Sequence, residues 1–146
     1  MMIIAIDPGV GGGIACRDSD KRIWADPMPE GMTEIYDYFK NLTEGMCQAI
    51  LEMPSGYMPG NSGKTAIVMF RNIGHIEMAL YALGISVETV SPQKWMKPLN
   101  LPKEYGERKK AIREKMQRQF PSLKVTLKTA DALGLLVWYL EKLGRH

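Results

Sequence analysis

The chain has 146 residues, two cysteines and a net charge of +3, long enough to bury roughly two-thirds of the surface its unfolded form exposes without metal or disulfide staples. Cys16 and Cys47 lie in apolar stretches at no zinc spacing, and no apolar run approaches the ~20 residues that cross a bilayer. Disulfide scaffolds, zinc modules and membrane spans are thereby set aside, and a single cytoplasmic domain over residues 1–146 with reduced, buried thiols is expected.

Met2 to Ile6 is wholly apolar, the pattern of a strand buried on both faces, and it runs straight into Asp7 and then "PGVGGG". "GGIACRDSDKRIWAD" reads as two further strands turning at Asp18-Ser19-Asp20-Lys21. "MTEIYDYFKNLT" spaces Ile35, Tyr38 or Phe39, and Leu42 for a helix, and "CQAILE" is another buried strand, also ending on an acid, Glu52. The loop "MPSGYMPGNSG" is too rich in Pro, Gly and Ser for regular structure. A long helix follows in "KTAIVMFRNIGHIEMALYALG", with Gly84 as its C-terminal cap. "ISVETV" is a strand, and "SPQKWMKPLNLP" a loop with one helical turn. "GERKKAIREKMQRQF" sets Ile112, Met116 and Phe120 on one helical stripe among basic residues. "TADALGLLVWYLEKL" lines up Ala130, Leu133, Val137 and Leu140, with Thr129 as N-cap and Asp131 in the first turn. The order predicts an α/β fold with a mixed five-stranded sheet flanked by helices.

The mild net charge hides an uneven distribution. Residues 1–93 carry six Lys/Arg against eleven Asp/Glu, whereas residues 94–128 carry eleven Lys/Arg against three Glu. A basic block this concentrated suits a polyanion, although a solvated helix surface would account for it equally well.

Neither glycine-rich segment is in register for a nucleotide. G-x-G-x-x-G counted from Gly9 requires glycine where Ile14 stands, and strand rather than helix follows. "GNSGKT" ends like a Walker A motif, but the glycine required five residues before Gly63 is Met58. No nucleotide cofactor is expected.

Asp7 and Glu52 both stand where an apolar strand stops, and neighbouring strands would bring them to one sheet end. Two carboxylates beside an apolar core are costly unless a cation compensates them. Asp131 is available as a third ligand. Three carboxylates without His or Cys suit Mg²⁺ or Mn²⁺, and the chemistry such a set serves is two-metal phosphodiester hydrolysis. Each acid alone reads more simply, as a turn residue or a helix-dipole residue. Two buried strands ending on acids, with a basic block nearby, favour the site.

With these residues in view, a family resemblance can be stated. "IIAIDPGVGGGIA" resembles the opening motif of the RuvC family of Holliday junction resolvases, which have an RNase H-like fold. The stretch from "ILEMPSGYMPGNSGKT" through "SPQKWMK" is similar to the middle of their phage-encoded relatives, and "TADALGLLVWYL" to the closing Asp-Ala helix. The resemblance implies a usually dimeric endonuclease that makes paired nicks in branched DNA with Mg²⁺ or Mn²⁺, two ions per site, in a bacterial host if phage-encoded. It matches Asp7, Glu52 and Asp131 to the acidic ligands. One position departs: where family members commonly carry a further Asp or His three residues before the last acid, this chain has Lys128. Lys128 then serves either as a cation for the scissile phosphate or as the mark of a degenerate, binding-only or one-metal site.

For DNA, the basic block offers Lys103, Arg108, Lys109, Lys110 and Arg113, flanked by Lys94, Lys97 and Lys128. Phosphate contacts of this kind position a duplex without reading its sequence. Trp95 either stacks on a base or packs in the core. The loop after Glu52 would border the site, with Tyr57 as a wedge at a branch point and Lys64 on a phosphate. Glycines after Asp7 would leave the turn bare for a close DNA backbone.

Overall fold

The computed structural model describes residues 1–42, 45–54 and 63–144. Among these, β1 (Met2–Ile6), β2 (Gly13–Arg17) and β3 (Ile23–Pro27) form an antiparallel meander, as the turn residues between β2 and β3 require. Lys21 in that turn has φ 66°, and Arg22 closes it by donating to Asp18. After α1 (Met32–Leu42), β4 (Cys47–Glu52) pairs parallel with β1. After α2 (Gly63–Ala82), β5 (Ser86–Val90) pairs parallel with β4. The sheet order is β3-β2-β1-β4-β5. Parallel neighbours need a crossover, and the two helices supply it.

α2 ends as its Gly84 predicts. Gly84 has φ 70°, and the amides of Gly84 and Ile85 donate to the carbonyls of Tyr81 and Leu80. The segment expected to hold one helical turn holds two: α3 (Pro92–Met96), capped by Ser91, and a 3-10 turn over Lys97–Leu99. α4 (Tyr105–Gln119) buries Ile112 and Met116, while Phe120 just past its end is half-buried. α5 (Ala130–Lys142) is more apolar than its predicted stripe: Ala130 through Leu136 are all buried, and Val137 is half-buried. The Thr129 side chain makes no cap bond, contrary to expectation, because its Oγ1 accepts from the Thr126 amide at 3.1 Å. Cys16 is buried and Cys47 only half-buried, and both are free.

Alternation along the strands builds a core on each face of the sheet. Ile4, Ile6, Ala49 and Leu51 face α1 and α2, while Ile3, Ala5 and Ile50 face α5, α4 and α3. The same alternation places Asp7, two residues after Ala5, and Glu52, two after Ile50, on the α5 face.

How closely α5 can approach depends on Gly13. A Cβ at Gly13 would stand 2.5 Å from the carbonyl oxygen of Lys128 and 2.8 Å from that of Asp26. A Cβ at Gly12 would stand 2.8 Å from the Asp7 carboxyl carbon. These two glycines therefore admit the chain's own backbone and carboxylate, not an external strand; Gly11, with nothing nearby, is the one left open. Gly13→Ala is expected to destabilise the fold by about 2–3 kcal/mol, since both obstacles are backbone and neither can turn aside. The readout is the urea midpoint, and an unchanged midpoint would show that α5 can stand further off.

Candidate active site at the end of the sheet

In the β1–β4 register Ile6 faces Leu51, so the next residues, Asp7 and Glu52, leave adjacent strands side by side. α5 crosses β1 and β2 on that face and brings buried Asp131 to the same place. The three carboxylates line one open cavity of about 680 Å³, together with Lys64, Arg108 and Lys109.

The indole of Trp95 is buried and its Nε1 donates to Glu52 Oε2 at 2.6 Å. It reaches there because Gly134 of α5 has no side chain: a Cβ would lie 2.8 Å from the Trp95 ring. Trp95 is thus a core residue and also a holder of Glu52. Its two sequence readings resolve toward the core, without a base.

Electrostatically the cluster is strained. Burial, with the Asp131 charge added, raises the Asp7 carboxyl to about 6, against the lowering effects of Lys109 and the Gly9 amide. Burial and then Asp7 raise Glu52 to about 8, although the Trp95 hydrogen bond opposes the shift. The cation that compensates is Lys109. Its Nζ lies 2.8 Å from Asp131 Oδ2, with both side chains largely buried. Burial would lower the ammonium's pKa, but Asp131 outweighs it and the net shift is upward.

Lys109 was expected on a DNA-facing surface, yet it points into the carboxylates. One sequence signal marks it: Lys109, Ile112 and Met116 share the inward stripe of α4, so a lysine stands at a core position. Lys128, in contrast, is exposed and does not line the cavity; neighbouring Leu127 does. Lys94, Lys97, Lys103, Lys110 and Arg113 are likewise exposed and off the cavity wall. Arg113 has structural work, its Nε donating to the Val125 carbonyl and pinning the segment that leads to α5. Tyr57 lies outside the described residues.

The donor set suits a hard divalent cation: three carboxylates, no His or Cys among the residues lining the cavity, and Asp131 Oδ1 buried without a hydrogen-bond partner. As placed, no group of three acidic, His or Cys side chains among the described residues is arranged to hold an ion. Lys109 takes one oxygen of Asp131 and Trp95 one of Glu52.

This sheet order, with helices on both faces, is an α/β fold of the RNase H-like kind, the fold also seen in RuvC. Thermus thermophilus RuvC superposes with TM-score 0.60 at 16% identity, covering 99% of this chain and 97% of that one. The structure of T. thermophilus RuvC in complex with Holliday junction substrate gives TM-score 0.60 at 14% identity, covering 99% and 96%. The yeast mitochondrial Holliday junction resolvase aligns more loosely, with TM-score 0.43 at 13% identity over 92% and 74%. No family model and no curated protein matches the chain in sequence.

Proposed function

We propose that the protein is a metal-dependent, structure-selective endonuclease that nicks Holliday junctions or other branched DNA. The observation that carries this reading is the convergence of Asp7, Glu52 and Asp131 in one open cavity that also has Lys64, Arg108 and Lys109 on its walls. Carboxylates without basic neighbours would repel a nucleic acid, and basic residues without carboxylates would only bind one. The shared fold of T. thermophilus RuvC supports the substrate class.

Asp7, Glu52 and Asp131 would hold Mg²⁺ or Mn²⁺, two ions per site, which supply Lewis-acid stabilisation of phosphodiester hydrolysis when bound. Lys64 binds a flanking phosphate, and Trp95 fixes the orientation of Glu52. Lys109 neutralises part of the carboxylate charge that would otherwise oppose an incoming phosphate. Homodimerisation belongs to the same reading. Exposed Met78 of α2, beside Met32 and Tyr36 of α1, leaves an apolar surface that a second copy would cover.

The second reading is a junction-binding protein without cleavage, favoured by the Lys109–Asp131 pair at the place an ion would need. One assay separates them: a labelled four-way junction incubated with and without Mg²⁺ or Mn²⁺. Paired nicks that require the metal are expected, and tight binding with an intact junction in both metals would overturn the nuclease.

A further inference from the structure

We propose that Tyr105 and Arg108 form a stacking platform for one unpaired nucleobase at the mouth of the cavity. This rests on the reading of that cavity as a DNA-cleaving site, and adds what the substrate presents there.

Tyr105 is the first residue of α4 and is 66% exposed. Among the described residues it is the one aromatic side chain lining the cavity; the exposed rings of Tyr36, Phe70 and Tyr81 are on α1 and α2, off that wall. The guanidinium carbon of Arg108 lies 5.4 Å from the Tyr105 ring centroid. With so much of the tyrosine exposed, the arginine covers part of the ring without burying it.

The pair is held before any substrate arrives. The Glu104 carboxylate accepts from the amides of Gly106 at 2.9 Å and Glu107 at 2.6 Å, fixing the start of the helix. Arg108 donates from its backbone amide to the Glu104 carbonyl at 2.9 Å, and from NH1 to the Lys103 carbonyl at 3.3 Å. The next residue, Lys109, reaches Asp131. A strand whose phosphate lies at the carboxylates therefore passes directly beside the platform.

The chemistry favours a base over a further phosphate. Phosphates need charge, which Lys64 and Lys109 already provide. A flat phenol ring with a guanidinium beside it offers π surface, which every base can use regardless of sequence. Bases inside a duplex have both faces covered, so only an unpaired or junction-point base has a face to offer. Tyr105 thus discriminates branched from continuous DNA by selecting strands with such a base next to the cut.

The test pairs Tyr105→Ala with abasic sites placed one at a time around the cut in a four-way junction, with affinities measured in Ca²⁺. On the intact junction Tyr105→Ala is expected to bind about tenfold more weakly, and Tyr105→Phe to bind as the wild type does. At one abasic position the wild type should lose the same factor of about ten, while Tyr105→Ala loses nothing more. Losses that multiply at every position, or a Tyr105→Leu variant as tight as wild type, would overturn the platform alone. A wild-type chain that does not bind the junction would overturn the DNA reading and the platform with it.

Discussion

Asp7→Asn is expected to lower the rate of junction cleavage by on the order of 10³-fold, about 4 kcal/mol of transition-state stabilisation. The same variant should bind the junction at least as tightly as wild type. The asparagine keeps the shape of the side chain, so the close packing of the carboxyl group against Gly12 and its bond from the Gly9 amide are preserved. What it removes is a negative charge at the one point where two strand ends meet. For the proposed hydrolysis that charge would hold the cation. For binding it only repels phosphate, so rate and affinity should part company. Both are measured with the same labelled junction, by product formation in Mg²⁺ and by gel shift in Ca²⁺. A variant retaining more than about a tenth of the wild-type rate would remove Asp7 from the chemistry.

Glu52→Gln is expected to stabilise the folded protein by about 4 kcal/mol at pH 8 in the presence of chelator. In the fold Glu52 titrates near 8, against 4.5 ordinarily, and burial is the largest cause. A carboxyl raised in this way binds its proton more tightly folded than unfolded. The stability it contributes is fully present below about pH 4.5, and is lost as pH rises through 8. Glutamine is neutral throughout and its oxygen can still accept from Trp95 Nε1, so the variant should escape that loss. In thermal melts the gain should be about 8–16 °C at pH 8 and vanish at pH 4.5. Added Mg²⁺ or Mn²⁺ should narrow the difference by stabilising the wild type alone. A gain of equal size at both pH values would trace the effect to packing, not charge.

Such opposition between function and stability is a property of the place where the acids sit. Asp7 and Glu52 end strands whose fully buried side chains are all apolar, so the same burial that makes the sheet stable makes their charges costly. Lys109 offsets part of this cost from α4, and so does the Trp95 indole through its hydrogen bond.

Much of this was legible in the chain itself. Apolar runs of five or six residues ending on Asp7 and Glu52, the turn at Asp18–Lys21, and the helical spacing of Ile35 and Phe39 depend on local periodicity, and the elements formed where it placed them. Strand alternation also determined that Asp7 shares a face with Ala5, and Glu52 with Ile50. Which strands are neighbours is a long-range matter, as is how near α5 comes to β2. Those were decided by the β1–β4 pairing and by Gly13, whose missing side chain matters because the backbone of Lys128, Thr129 and Asp26 lies against it. The partners of the acids were decided the same way. Trp95 stands 43 positions from Glu52 and Lys109 stands 22 from Asp131, separations at which no sequence spacing specifies contact. Sequence placed a conspicuous lysine at 128, three residues from Asp131. The fold turned Lys128 outward and brought Lys109 in, because α4 packs its stripe of Lys109, Ile112 and Met116 toward α5. Local pattern determined where the carboxylates would end, and only tertiary packing decided which cation would meet them.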